Sequence, residues 1–320
     1  METGKKPLII LTGPTAVGKT QLSVALAKAV GGEIISADSM QVYRGMDIGS
    51  AKISQKEMEG VPHHLIDVLD PREECNVVRF QSMAVEAMEQ IYAREHIPVV
   101  VGGTGFYIQA LLYGIDFTQP EEEGKEGGYR KSLERLAEEK GSQYLYDLLK
   151  EQDPEYAAEN HPNNQKRVIR ALEYIHLTGR TFSSYNQEQR ERESSYRSVY
   201  FVLTMDREQL YERINLRVDQ MLAQGLLAEV EKLQAMGCRK GMTSMQGLGY
   251  KEMLDYLEGR LTFEQAAELL KRDTRRFAKR QLTWFRRERD VIWLEKEKYA
   301  SQEELLKEML ERIEQRWGIR

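Results

Sequence analysis

Cysteine is nearly absent from this chain: Cys75 and Cys238 are its only two. They build neither a disulfide framework nor a cysteine-based zinc site, so a reducing cytoplasm is the expected compartment. Cys75 reads as a structural residue rather than a reactive thiol. Long hydrophobic runs are also missing. The apolar runs have the length of strands, which excludes a membrane-spanning helix. Met1 to Lys6 leads straight into such a run and lacks a secretory hydrophobic region. There is no excess of positive charge either, since the formal net charge is −5. Taken as an average, that speaks against a nucleic-acid partner. The distribution says otherwise, because Lys271 to Arg289 is strongly basic within an acidic chain. Neither internal repeats nor low-complexity tracts are found. Adjacent histidines on a strand point to opposite faces, so His63 and His64 make a poor metal pair.

Apolar residues make up 41% and charged residues 30% of the 320, enough for a packed core in one large or two ordinary domains. The organising stretch is Gly13-Pro14-Thr15-Ala16-Val17-Gly18-Lys19-Thr20. It follows the apolar Leu8 to Leu11. It opens a segment in which Leu22, Ala25, Leu26 and Ala29 share a helical face. This is strand, loop, helix with the G-x-x-x-x-G-K-T spacing of a phosphate-binding loop. Its glycines let the backbone curl its N–H groups inward, and the helix start adds a positive dipole end. Lys19 supplies a charge and Thr20 a hydroxyl for Mg²⁺.

Further strands are expected at Glu33–Ser36, His63–Val68, Pro98–Val101, Tyr200–Leu203 and Val291–Leu294. Helices are expected over 80–92, 226–236, 250–257, 262–287 and 301–317, with another beginning near Asp206. Strands alternating with helices predict a parallel α/β sheet. From Tyr129 to about Thr178 the pattern is helical without a strand, and Ser183 to Ser195 reads as a polar loop. The expected organisation is a P-loop NTPase-like α/β core, residues 1–115 and 196–320, interrupted by an all-helical insertion, residues 116–195. The polar, Gly-rich 121–128 stretch lies inside it.

Asp38 follows the second strand, and ligands in open parallel sheets bind at such carboxyl ends. It can support Mg²⁺ or take a proton from a nucleophile. The strand Val99-Val100-Val101 ends in Gly102-Gly103-Thr104-Gly105, not in the aspartate of an ATPase or kinase. That turn offers amides and one hydroxyl to an oxyanion, a phosphate or a substrate amine. Arg213 and Arg217 are four apart on one helical face and can stabilise a leaving diphosphate. Arg272, Arg276, Lys279, Arg280 and Arg287, with Phe277 and Trp284 interleaved, fit an RNA backbone.

Together these motifs resemble one family, the tRNA dimethylallyltransferases or isopentenyltransferases. The resemblance rests on residues 13–20, Asp38 to Tyr43, Gly103 to Tyr107, Asn164 to Arg167, Gly247 to Glu252 and Lys279 to Phe285, nearly the whole chain. It implies transfer of a dimethylallyl group from dimethylallyl diphosphate to N6 of the adenosine on the 3′ side of the anticodon. It implies Mg²⁺ and a helical insertion that holds the anticodon stem-loop. Residues 13–20 (Gly13, Pro14, Thr15, Ala16, Val17, Gly18, Lys19, Thr20) would hold the diphosphate, Thr20 would hold the metal, and Asp38 would be the general base. Thr104 and Arg217 match diphosphate contacts. Asp38, Ser39, Met40 and Gln41 match a stretch that contacts tRNA. So do Asn163, Asn164, Gln165, Lys166 and Arg167, then Gly247, Leu248, Gly249, Tyr250 and Lys251, with Arg280 on the basic helix. A cytoplasmic monomer without a membrane partner is expected. Two other readings stand beside this one: a nucleoside or metabolite kinase using ATP, and a non-catalytic P-loop RNA-binding protein.

Overall fold

The computed structural model describes residues 4–115 and 126–318. The chain divides into two compact units, Met1–Leu112 with Ser194–Arg320, and Tyr113–Glu193.

The first unit is built on six parallel strands. They are β1 (Lys6–Thr12), β2 (Gly32–Ala37), β3 (His63–His64), β4 (Ile97–Gly102), β5 (Tyr196–Thr204) and β6 (Val291–Glu295), in the order β3-β2-β4-β1-β5-β6. The α/β class read from the alternation of strands and helices is therefore what the chain adopts. Side chains alternate across β1. Ile9 and Leu11 join Val99, Val199 and Phe201 in a core with α1 (Lys19–Val30) and the terminal helix Gln302–Trp317. α1 begins after Gly18 at φ 98° and stops at Gly31 at φ 62°, a conformation glycine enters without a Cβ clash.

The expected strand over 63–68 is cut to two residues. Leu65 and Asp67 adopt φ 62° and 56°, which breaks an extended ladder. Leu65 buries its side chain, and the Asp67 carboxylate meets Lys52 at 2.5 Å. After the short α2 (Gln55–Met58), α3 (Val77–Ala93) packs on β2 and β4, and α4 (Gly105–Tyr113) follows β4.

The second unit is helical: α5 (Glu126–Lys140), α6 (Ser142–Gln152), α7 (Pro154–Ala158), α8 (Gln165–Thr178) and α9 (Phe182–Glu191). Leu133, Leu145, Leu149, Val168 and Leu172 form its core. Of the polar stretch at 121–128, residues 121–125 lie outside the described residues. The expected loop at 183–195 is instead mostly α9. Thr181 caps it by accepting the Ser184 N–H, and the buried Asp153 carboxylate accepts the Ser183 N–H at 2.8 Å. A helix held by capping and by Phe182 in the core needs no long apolar stripe.

Back in the first unit, α10 (Arg207–Ala223), α11 (Leu226–Ala235), α12 (Tyr250–Leu257) and α13 (Phe263–Phe285) follow β5, and α14 (Gln302–Trp317) ends the chain. Val218, Leu226, Val230, Tyr250 and Leu270 from the first four share a second core with Val42 and Tyr43. No helix among the described residues is long and apolar enough to cross a membrane.

Candidate active site

Strands β1, β2 and β4 are neighbours, so the turns at their carboxyl ends converge. The loop 13–18, the stretch from Asp38 and the Gly102-Gly103 turn border one cavity of about 760 Å³. Arg213 and Arg217 of α10 and Gln281 of α13 complete its wall.

The loop folds tightly. A Cβ on Gly13 would lie 2.2 Å from the Leu203 carbonyl oxygen, so only glycine fits. The Lys19 ammonium donates to the Gly13 and Pro14 carbonyls at 2.9 and 2.8 Å. Burial, helped by nearby Arg217 and opposed by Asp38, pushes its pKa down to about 7. Burial also lowers the pKa of Arg217, with Arg213 adding to the effect and Asp38 opposing it. Among the described residues, Lys19, Arg213 and Arg217 have no carboxylate at ion-pairing distance. Crowded cations with no carboxylate at ion-pairing distance make a site for a multiply charged anion.

Asp38 lies in the same cavity and accepts the Met40 N–H at 2.9 Å through Oδ1. Ser36 Oγ donates to Gln41 Oε1 at 2.9 Å, which orients the Gln41 amide. Thr20 also borders the cavity. Thr104 does not border it, although Gly102 and Gly103 do. Its amide donates to the Ala37 carbonyl at 3.3 Å and its own carbonyl starts α4.

Met40 reaches the 247–251 stretch: a Cβ on Gly247 would lie 2.6 Å from its sulfur. The Tyr250 side chain is fully buried, and its hydroxyl donates to Glu229 Oε1 at 2.8 Å. Its ring lies 2.5 Å from where a Cβ on Gly49 would be. The side chain is therefore a packing element. Lys251 is partly exposed, 3.3 Å from Glu252. Asn163, Asn164, Gln165, Lys166 and Arg167 belong to the second unit at the start of α8, where all but the half-buried Gln165 are exposed. Arg280 is exposed on α13, with its guanidinium 5.7 Å from the Phe277 ring centre.

Three residues of the site have no sequence-based expectation attached to these roles. Gln281 is buried and joins two loops: its Oε1 accepts from Thr15 N at 3.0 Å and its Nε2 donates to the Gly103 carbonyl at 2.9 Å. It stands in the Lys279 to Phe285 motif, and that motif is the only signal for it. Glu229 accepts the N–H groups of Asp47, Ile48 and Gly49 at 2.9, 2.8 and 3.1 Å, which fixes a turn bordering the cavity. Lys296, just after β6, donates to the Val17 carbonyl at 3.4 Å. Nothing in the sequence marks either one.

A divalent ion fits this donor set. Among the described residues no cluster of three acidic, histidine or cysteine side chains exists to cage a metal. Mg²⁺ is suited to less, because it keeps several waters and takes few protein oxygens beside substrate phosphates. The Thr20 hydroxyl is such an oxygen.

A family model described as IPP transferase matches residues 41–288, and one described as isopentenyl transferase matches residues 6–70. A tRNA dimethylallyltransferase of Lachnoclostridium phytofermentans is 58% identical over 305 residues, 95% of this chain and 96% of that one. The crystal structure of the full-length tRNA isopentenylpyrophosphate transferase of Bacillus halodurans superposes with a TM-score of 0.73 at 46% identity, over 98% of this chain and 99% of that one. A eukaryotic dimethylallyltransferase captured acting on tRNA gives a TM-score of 0.77 at 33% identity, over 91% of this chain and 74% of that one. These matches favour neither a kinase nor a non-catalytic binding protein. The chain belongs to the IPP transferase family, the tRNA-prenylating transferases.

Proposed function

We propose that the enzyme transfers a dimethylallyl group from dimethylallyl diphosphate to N6 of the adenosine on the 3′ side of the anticodon in tRNA. The observation that carries this reading is the pair of buried cations, Lys19 and Arg217, which among the described residues have no ion-pairing carboxylate, beside a phosphate loop and with Asp38 in the same cavity. In this reading the loop 13–20 holds the diphosphate leaving group. The N6 lone pair forms a bond to C1 of the allyl group, and the C1–O bond electrons depart with the diphosphate. Asp38 takes the N6 proton. Lys19 and Arg217 stabilise the charge that grows on the leaving oxygen. Mg²⁺ bound with Thr20 would supply further positive charge on the diphosphate.

A stacked base does not reach a buried site, so the adenosine is turned out of its loop into the cavity. In the same reading residues 38–41, the partly exposed Leu248 and Lys251, exposed Arg280, and Asn163 to Arg167 of the helical unit contact the anticodon stem-loop, while buried Tyr250 supports the 247–251 stretch from within. Thr104 acts on the diphosphate through its place beside Gly103. The protein acts as a cytoplasmic monomer. The test is incubation with Mg²⁺, labelled dimethylallyl diphosphate and an unmodified anticodon stem-loop, with ATP in a parallel tube. Label on adenosine only with the allyl donor is expected. Phosphate transfer from ATP without allyl transfer overturns the proposal.

A further inference from the structure

The phosphate loop contains a strained residue. Ala16 sits at φ 64°, a region that residues with a Cβ rarely adopt. Such a conformation persists only when its surroundings enforce it. Two side chains from distant parts of the chain grip this stretch. Arg213 Nε donates to the Ala16 carbonyl at 2.9 Å, and Lys296 Nζ to the Val17 carbonyl at 3.4 Å. Lys296 is half-buried, and burial and nearby Arg213 lower its pKa. Both cations approach Gly18: a Cβ there would lie 3.1 Å from Lys296 Nζ and 3.7 Å from Arg213 Nη2.

A trans peptide unit is planar, with its C=O and N–H pointing in opposite directions. Holding the Ala16 and Val17 carbonyls therefore fixes two successive peptide planes. The Gly18 N–H is turned to the side opposite Lys296. Lys19 holds the Gly13 and Pro14 carbonyls in the same manner. Four carbonyls of the loop are thus engaged by cations.

We infer that Arg213 and Lys296 are positioning residues, which clamp the strained Ala16–Gly18 backbone in the shape that receives the diphosphate. The inference rests on the reading of this loop as a diphosphate site. Neither residue needs to touch the anion. Their action passes through the backbone, and this separates them from Lys19 and Arg217.

The test is calorimetric titration of the full chain with pyrophosphate and Mg²⁺. The variants are R213Q and K296Q, each alone and combined with A16G. Glycine adopts the required φ without strain, so it reduces the need for a clamp. R213Q is expected to weaken binding about tenfold with Ala16 in place, and no more than about threefold in the A16G background. K296Q follows the same pattern with a smaller loss. Equal losses in both backgrounds mean that the cations act by charge alone, which overturns the inference. Undiminished binding in both variants also overturns it. If R213Q does not fold, K296Q carries the same comparison. Native protein that does not bind pyrophosphate at all is a different outcome, and it overturns the diphosphate reading itself.

Discussion

Gln281 accepts the backbone N–H of Thr15 at 3.0 Å although 266 positions separate the two residues along the chain. Through its other amide atom it holds the Gly103 carbonyl. One carboxamide therefore fixes the spacing between the phosphate loop and the turn after β4. Gln281→Ala leaves both backbone groups without their partner, and the KM for dimethylallyl diphosphate should rise about tenfold. Gly103→Ala should do the same, because its Cβ would lie 2.1 Å from Gln281 Nε2 and push the side chain away. Steady-state kinetics on both variants check this. An unchanged KM in either would remove Gln281 from the site.

Asp38→Asn keeps an oxygen for the Met40 N–H but loses the basic carboxylate. Turnover should fall by about 10²- to 10⁴-fold with stem-loop affinity retained. Single-turnover rates and binding isotherms measured side by side decide the matter. Equal loss of both would mean that Asp38 shapes the tRNA surface and is not the base.

Arg217→Ala should raise the KM for dimethylallyl diphosphate about tenfold or more, and that for tRNA far less. The reverse pattern would move Arg217 away from the leaving group.

Lys19 has a pKa of about 7 in the free site. A bound anion favours its charged form and raises that value. Affinity for sulfate, a dianion whose own charge is constant over this range, should therefore be flat below pH 7 and decline as the pH rises above it, with a proton taken up on binding. Calorimetry at pH 8 in two buffers of different ionisation enthalpy measures the uptake. A value near zero would refute the prediction.

Glu33, at the start of β2, is buried among Arg94, His64 and His96. Arg94 foremost, with the two histidines and against burial, holds its pKa down to about 2 from 4.5. A depressed carboxylate stabilises the fold fully above its unfolded value, and that stability is lost as the pH falls from 4.5 towards 2. Glu33→Gln should lower Tm at pH 7 by roughly 5 °C and flatten the decline below pH 4.5. Thermal unfolding across pH reads both effects.

The phosphate loop and five of the six strands were legible because each is a short-range pattern: an apolar run, a glycine spacing, a helical period. The third strand was legible in place but not in length, since nothing in His63 to Val68 announces left-handed residues at Leu65 and Asp67. α9 escaped because Asp153, which holds its first turn, lies 30 residues away. Asp38, Lys19 and Arg217 were legible as candidates through motif and helical spacing, and the fold brings them to one cavity. Glu229 and Lys296 act on backbone atoms of remote loops, a relationship that leaves no local trace.

The register of the sheet has a consequence for how the chain comes to be active. β1 pairs with β5, Lys6 opposite Tyr196, so the central strand waits for a partner made after the whole helical unit. The phosphate loop then waits longer, since Lys296 lies 279 positions beyond Val17. During synthesis the ribosome therefore displays a phosphate-loop sequence long before it displays a finished phosphate site. A nascent chain, or one truncated ahead of β6, carries the motif without Lys296 to hold it.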